Sequence, residues 1–210
     1  MKLDIHIHST YSDGVNTPKE IVSYAKSIGL DGIAITDHDV IKGSLIALKY
    51  DSENFKVIPG LEVSSIDGHI LALGVTELIE RDLSAQRTIE RIHDLGGIAI
   101  AAHPYDRFRS GVGDLIYKLN FDAVEIFNGR TLSSTKDMRK ISENIKLPLV
   151  GGSDAHCIDE IGCISIVVNS DPLDSIRRGE VEIEVKSSKV KLLKNYLRAG
   201  LRRFVSNGQI

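Results

Sequence analysis

Apolar residues recur along this chain in two alternating rhythms. Short runs rich in Ile, Val and Leu predict strands over 2–8, 32–36, 56–63, 69–75, 97–102, 122–127, 148–151 and 162–168. Between them, apolar positions three and four apart predict helices near 18–28, 41–50, 82–95, 131–145 and 172–179, with a last one near 188–205. Punctuation supports these limits. Thr17 ahead of Pro18 marks a helix start with proline in the first turn, Gly29 marks its end, and Gly96-Gly97 separates a helix from the apolar run 98–101. Strand and helix in alternation predict a parallel sheet covered by helices. Seven or eight strands in 210 residues suit a small β/α barrel better than an open sheet. No linker, repeat or low-complexity stretch intervenes. One domain over 1–210 is expected, with a barrel over about 1–185 and a basic amphipathic helix over about 188–205.

Composition narrows the class. With 42% hydrophobic and 26% charged residues, collagen-like, low-complexity and disulfide-scaffold readings are excluded. Cys157 and Cys163 form no C-x-x-C pair, and a reduced pair is expected. No apolar run reaches the roughly 20 residues that span a bilayer, and the start of the chain lacks signal-peptide architecture. A soluble cytoplasmic protein is expected, with no membrane and no stable protein partner implied. Seven Lys or Arg and no acid fall from Lys186 onward, so the net charge of −3 leaves −10 on the first 185 residues. Such an acidic body invites neutralisation by bound cations.

Histidine placement carries more information. Six of seven, His6, His8, His38, His69, His103 and His156, lie in or beside predicted strands or the turns after them. Only His93 falls in a predicted helix. In a β/α barrel the C-terminal strand ends converge, so residues distant in sequence share one pocket. In the run 2–8, alternation puts Leu3, Ile5 and Ile7 on one side and Asp4, His6 and His8 on the other. Imidazoles at i and i+2 lie about 6–7 Å apart along a strand and can grip one metal ion. Asp4 reads as a partner orienting an imidazole N–H. Thr36-Asp37-His38-Asp39, Glu62, His103 before Pro104, and Asp154 with His156 all follow strand runs, and parity allows Glu125 to point inward. Mixed imidazole and carboxylate without thiolate suits Zn, Mn or Fe.

Taken together, His6-Ile-His8-Ser9, Thr36-Asp37-His38, Gly60-Leu-Glu62, Ala102-His103-Pro104 and Gly152-Ser153-Asp154-Ala-His156 resemble, in order and spacing, the successive motifs of the PHP (polymerase and histidinol phosphatase) family across residues 3–168. The pattern is most similar to the stand-alone TrpH/YciV-like branch, which includes nucleotide phosphoesterases and 5′–3′ exonucleases. The resemblance implies a distorted seven-stranded, TIM-like β/α barrel with three divalent metal ions (Mn, Fe or Zn) at the C-terminal strand face. By that resemblance, His6, His8, Glu62 and Asp154 hold the first metal. Glu62 bridges to a second, completed by His69 and His103, while Asp13, His38 and His156 hold the third. One departure is the absence of the branch's small helical insertion: Gly74-Val75-Thr76 runs almost directly into the helix at 82–95. A less covered site is expected, favouring a chain end or larger substrate, or a lid supplied by a partner.

The resemblance implies hydrolysis of a phosphate ester, in which the metals would supply a bridging hydroxide near neutral pH. His6, His8, Glu62 and Asp154 are its catalytic frame, and no protein nucleophile is required. Neither Ser9 nor Ser153 lies in a Gly-x-Ser-x-Gly elbow. Arg107, Arg109 and Arg130 are candidates for the phosphate, with Asn128 as a further substrate contact. A nucleotide or nucleic-acid end is the expected substrate. Alternatives are a phosphorylated small molecule, as in a histidinol phosphatase, an amidohydrolase-type hydrolase, or a non-catalytic module. The basic helix expected at the end of the chain reads as a solvated face, or as an electrostatic track for a nucleic-acid backbone.

Overall fold

The structure, a computed structural model, describes residues 1–131 and 144–186. The helices expected near 131–145 and 188–205 therefore lie almost wholly outside the described residues. Among the described residues there are ten strands: β1 (Lys2–Asp4), β2 (Gly32–Ala34), β3 (Lys56–Ile58), β4 (Gly60–Ser65), β5 (Gly68–Leu73), β6 (Ile98–Ala101), β7 (Ala123–Asn128), β8 (Leu149–Gly152), β9 (Ile164–Val167) and β10 (Glu182–Val185). The α-helices among the described residues are α1 (Pro18–Ser27), α2 (Lys42–Ala47), α3 (Ala85–Asp94) and α4 (Pro172–Arg178). The α1 start is a capping box: Thr17 accepts from the Glu20 amide, and the Glu20 carboxylate accepts from the Thr17 amide. Gly29, at φ +77°, takes the left-handed turn that ends it.

The strands form two five-stranded sheets, β10–β9–β1–β2–β3 and β4–β5–β6–β7–β8. This corrects the expected parallel barrel in two respects. First, the sheets are mixed: β5 runs antiparallel to both β4 and β6, and β9 antiparallel to both β1 and β10. The physical reason is connection length. Only Ile66 and Asp67 separate β4 from β5, whereas a parallel crossover needs a dozen or more residues. Second, no closed sheet forms among the described residues. The two sheets meet through single parallel bridges, Ile7 with Ala155 and His38 with Glu62, where a closed barrel would have continuous ladders. Pro59, lacking an N–H, splits the predicted strand 56–63 into β3 and β4. The edge strand β10 was not expected. Its Glu-Ile-Glu-Val alternation is a period-2 signal that the surrounding charge obscured.

An apolar layer draws on both sheets and on α4, including Leu3, Ile5, Leu71, Leu73, Ile98, Ile100, Val150 and Ile176. Two other apolar clusters lie around α3 and around α1. Directly paired residues share a sheet face. Glu62 pairs with Leu71 and Glu125 with Val150, so both carboxylates lie on the face of that shared layer. The alternation expected for 3, 5 and 7 is broken, because Ile7 packs with the α1 cluster while Leu3 and Ile5 join the shared layer. In β7 the register slips between Glu125 and Phe127, leaving Asn128 opposite Gly152. An extra residue on one strand re-aims the side chains that follow it, so Glu125 and Asn128 share a face although three positions apart.

Candidate metal centre

Where the strands end, the chain abandons regular geometry. His103 and Asp154 each lie two residues beyond a strand and adopt left-handed backbone, at φ +30° and +52°. Such conformations cost of order 1–3 kcal/mol each and persist only where their surroundings impose them. Both side chains are turned into a cluster that collects all nine residues expected as ligands.

Glu62 is its hub. Oε2 lies 3.2 Å from Nε2 of His6, 3.2 Å from Nε2 of His8 and 3.3 Å from Nδ1 of His38. Oε1 lies 3.1 Å from Nδ1 of His69 and 3.2 Å from Nε2 of His103. Asp154 Oδ1 stands 3.4 Å from His8 Nε2 and 3.7 Å from His6 Nε2. Towards solvent, Asp13 lies 3.0 Å from His156 Nε2 and 3.6 Å from His8 Nδ1. Three sets of atoms lie close enough to hold cations: His8, Asp13, His38 and His156; His6, His8 and Asp154; and His38, Glu62 and His69. His38 and His8 each belong to two of these sets.

Several of these atoms are buried with no hydrogen-bond partner: both ring nitrogens of His8, Nδ1 of His69, Nδ1 of His103 and Oδ1 of Asp154. Leaving such a group unsatisfied costs about 1–3 kcal/mol. Two further rings have their tautomer set from behind. His6 donates from Nδ1 to Glu125 Oε1 at 2.9 Å, and His156 donates from Nδ1 to the Asp154 carbonyl at 2.9 Å. In the neutral ring each Nε2 then carries a lone pair, yet both point at carboxylate oxygens, which are also acceptors. A cation between them resolves that conflict, so the donor set fits divalent metal.

Charge behaves consistently. Burial alone would raise the Glu62 carboxyl, but the His38, His6 and His69 rings and the His103 hydrogen bond hold it well below the usual range. Asp154 is likewise lowered, because Arg109 and neighbouring rings outweigh burial. Burial would lower His8, but Asp154 and Glu62 pull it up to about 9. Their charges, with that of Glu125, also outweigh burial at His6 and raise it well above its ordinary value. Burial dominates at His38 and His156, pushing them down to about 4 and about 3. Protons on His6 and His8 thus balance carboxylate charge that a cation would otherwise offset.

The supporting residues differ from expectation. Asp4 does not reach an imidazole: its carboxylate accepts from the backbone N–H groups of His6, Ser153 and Gly162 at 3.4, 3.1 and 2.8 Å, and burial raises it to about 6. Glu125 takes the orienting role instead. Asp37, within the Thr36-Asp37-His38 motif, accepts from the Ser9 amide and the Ser9 and Ser12 hydroxyls at 2.6, 2.7 and 2.8 Å, pinning the loop that bears Asp13. These partners are 25 to 28 residues away, so no local signal announced them.

Of the residues expected to meet substrate, Arg109 is buried and pairs through NH2 with Asp154 Oδ2 while NH1 donates to Asn128 Oδ1 at 3.1 Å. Asn128 Nδ2 donates to Glu125 at 2.9 Å and to Asp154 at 3.0 Å. Arg130 is buried as well; its amide donates to Asn128 Oδ1 at 2.9 Å and its side-chain Nε has no hydrogen-bond partner. Arg107 lies in the single helical turn Arg107–Arg109, and its side chain is outside the description. No helix among the described residues is long and apolar enough to cross a membrane.

Comparison with known proteins identifies the family and the fold. The PHP-domain family model matches residues 4–140, and a PHP-associated model matches 136–181. An uncharacterized protein of Methanocaldococcus jannaschii is 39% identical over 140 residues, 61% of this chain and 82% of the relative. A 5′-3′ exoribonuclease of Salmonella typhimurium is 34% identical over 97 residues, 42% of this chain and 33% of its own. A two-domain protein of Bacteroides vulgatus containing a predicted PHP-like metal-dependent phosphoesterase shares the fold with a TM-score of 0.71 at 18% identity, over 94% of this chain and 69% of that one. With well over half its length matched by the family model, the chain belongs to the PHP family.

Proposed function

We propose that this chain is a metal-dependent phosphoesterase that hydrolyses a phosphate ester of a nucleotide or nucleic-acid end. In this reading His6, His8, Glu62 and Asp154 hold a first divalent cation. Glu62 is shared with a second, held also by His69 and His103, and Asp13, His38 and His156 hold a third. The observation that carries it is Glu62: its two oxygens divide five imidazoles between them at 3.1–3.3 Å. Mn, Fe or Zn suit this donor set. When bound, such cations lower the pKa of shared water towards neutrality and offset charge building on the phosphate oxygens.

The chain's own residues supply the rest. Burial of Glu62, His6 and Asp154 keeps bulk water away from their charges and strengthens each contact. Arg109 and Arg130 bring two buried guanidiniums near Asp154, and that charge suits a phosphate ester. Asn128 places both ends of its amide on protein partners, so it supports Asp154 and Glu125. The likeness to an exoribonuclease favours a polynucleotide end over an isolated metabolite.

The test is product analysis of a 5′-labelled single-stranded oligonucleotide incubated with manganese-loaded protein, beside the His8→Ala variant. Labelled mononucleotide released by the first and not the second is the expected result. An intact oligonucleotide, with turnover of a small phosphomonoester, would move the substrate to that class. Equal activity in the variant would overturn the metal-centre reading.

A further inference from the structure

We infer that Glu125 is the positioning residue that presets the inner half of the centre, fixing the His6 tautomer, the strained His103 backbone and the Asp154 carboxylate from a single side chain. The inference rests on the proposed reading that those three residues hold metal.

Glu125 is completely buried in the middle of β7 and touches no candidate cation position itself. Three donors converge on it. Oε1 accepts from His6 Nδ1 at 2.9 Å; Oε2 accepts from the His103 backbone N–H at 3.0 Å and from Asn128 Nδ2 at 2.9 Å. Each bond has a separate consequence. With Nδ1 committed as donor, the neutral His6 ring presents its Nε2 lone pair towards Glu62 and Asp154. The bond to the His103 amide holds a residue whose φ of +30° is otherwise unfavourable. Asn128 passes the constraint on, donating from the same Nδ2 to Asp154 Oδ2, which leaves Oδ1 directed at the rings.

The opposite strand is shaped to allow this. A Cβ on Gly152 would stand 2.5 Å from His6 Cβ and 2.8 Å from Glu125 Oε1, so only glycine leaves room for the pair. The bulge in β7 is equally specific, because it brings Asn128 to the face of Glu125.

The carboxylate is needed for a countable reason. It offers acceptors in both directions, whereas an amide offers one acceptor and one donor. In Glu125→Gln, an NH₂ turned towards His6 forces Nδ1 to accept and moves the ring proton to Nε2, abolishing the ligand lone pair. An NH₂ turned the other way faces two donors, the His103 amide and Asn128. Either arrangement disrupts the inner half.

The decisive experiment measures manganese bound per chain by equilibrium dialysis for the wild type, Glu125→Gln and His6→Ala, with circular dichroism confirming that each is folded. Glu125→Gln is expected to bind its tightest manganese about 10–100-fold more weakly, the usual cost of losing a partner behind a ligand. His6→Ala is expected to lose that ion. Undiminished binding by His6→Ala would overturn the metal-centre reading itself. Loss in His6→Ala beside wild-type affinity in Glu125→Gln would overturn this inference alone. Should Glu125→Gln fail to fold, the zinc-loaded wild type decides by nitrogen-15 NMR. A slowly exchanging His6 Nδ1–H supports the assignment, and an Nε2–H overturns it.

Discussion

The inner and outer halves of the metal centre are built from the same residue types and held in opposite ways. Inside, His6, His8, Glu62, His103 and Asp154 have fully buried side chains, and His6, His103 and Asp154 are braced from β7 through Glu125 and Asn128. Outside, Asp13 is 56% exposed and His38 25% exposed, and Asp13 rides on a loop whose main anchor is Asp37. A ligand braced within the protein loses little freedom when it binds a cation, whereas one on an exposed loop must be ordered at that moment. Under the proposed reading, the difference predicts tight cations inside and a more exchangeable one outside.

His8 belongs to both halves, facing Glu62 and Asp154 with Nε2 and Asp13 with Nδ1. His8→Ala should therefore give the largest effect, lowering turnover by more than the ~10–100-fold that a supporting residue costs. It should also remove metal from both halves, as elemental analysis will show. Loss of only one ion would break the idea that His8 joins them. Next is pH. His8 is pulled up to about 9 in the metal-free protein, so its proton must leave before Nε2 can ligate. Apparent affinity should rise about tenfold per pH unit between 6.5 and 9 from this group alone. Manganese-induced thermal stabilisation should widen over the same range. The metal-free protein behaves oppositely: the raised His8 pKa contributes stability in full below 6.5, which is lost as pH climbs through 9. A shift independent of pH would contradict the protonated His8.

Smaller effects should separate the halves. Asp13→Asn is expected to weaken the outer ion about tenfold while leaving inner stoichiometry unchanged in manganese titrations; parallel loss of inner metal would show the two to be one cooperative unit. Asp37→Ala should act more mildly still, since it removes three hydrogen bonds to the loop and not a ligand. A fall in unfolding free energy of about 1–3 kcal/mol is expected in denaturant titrations, with only the outer affinity reduced.

How much of this was legible in the chain follows from distance. Capping at Thr17-Pro18 and the helix stop at Gly29 are local, and both were read correctly. Histidines at strand ends were legible because backbone direction and period place them on one side of the sheets. The pairing of β9 with β1 and the slip in β7 were not, because each depends on a partner strand. Asp4 shows the limit most clearly. Its parity suggested an imidazole partner, but backbone N–H groups of Ser153 and Gly162, about 150 residues away, compete for the same oxygens and win.

The sequence by itself determined the chemistry. Six histidines and three acids in strands or the loops that follow them carry donor types that suit a hard-to-borderline cation, and their order carries the family. Tertiary structure decided which atom of each residue faces inward and what stands behind it. Tautomer, left-handed backbone at His103 and Asp154, and the division of rings between the two oxygens of Glu62 arise from contacts across the two sheets. A pattern along one chain cannot encode such contacts, because hydrogen-bond geometry depends on groups the fold brings within about 3 Å.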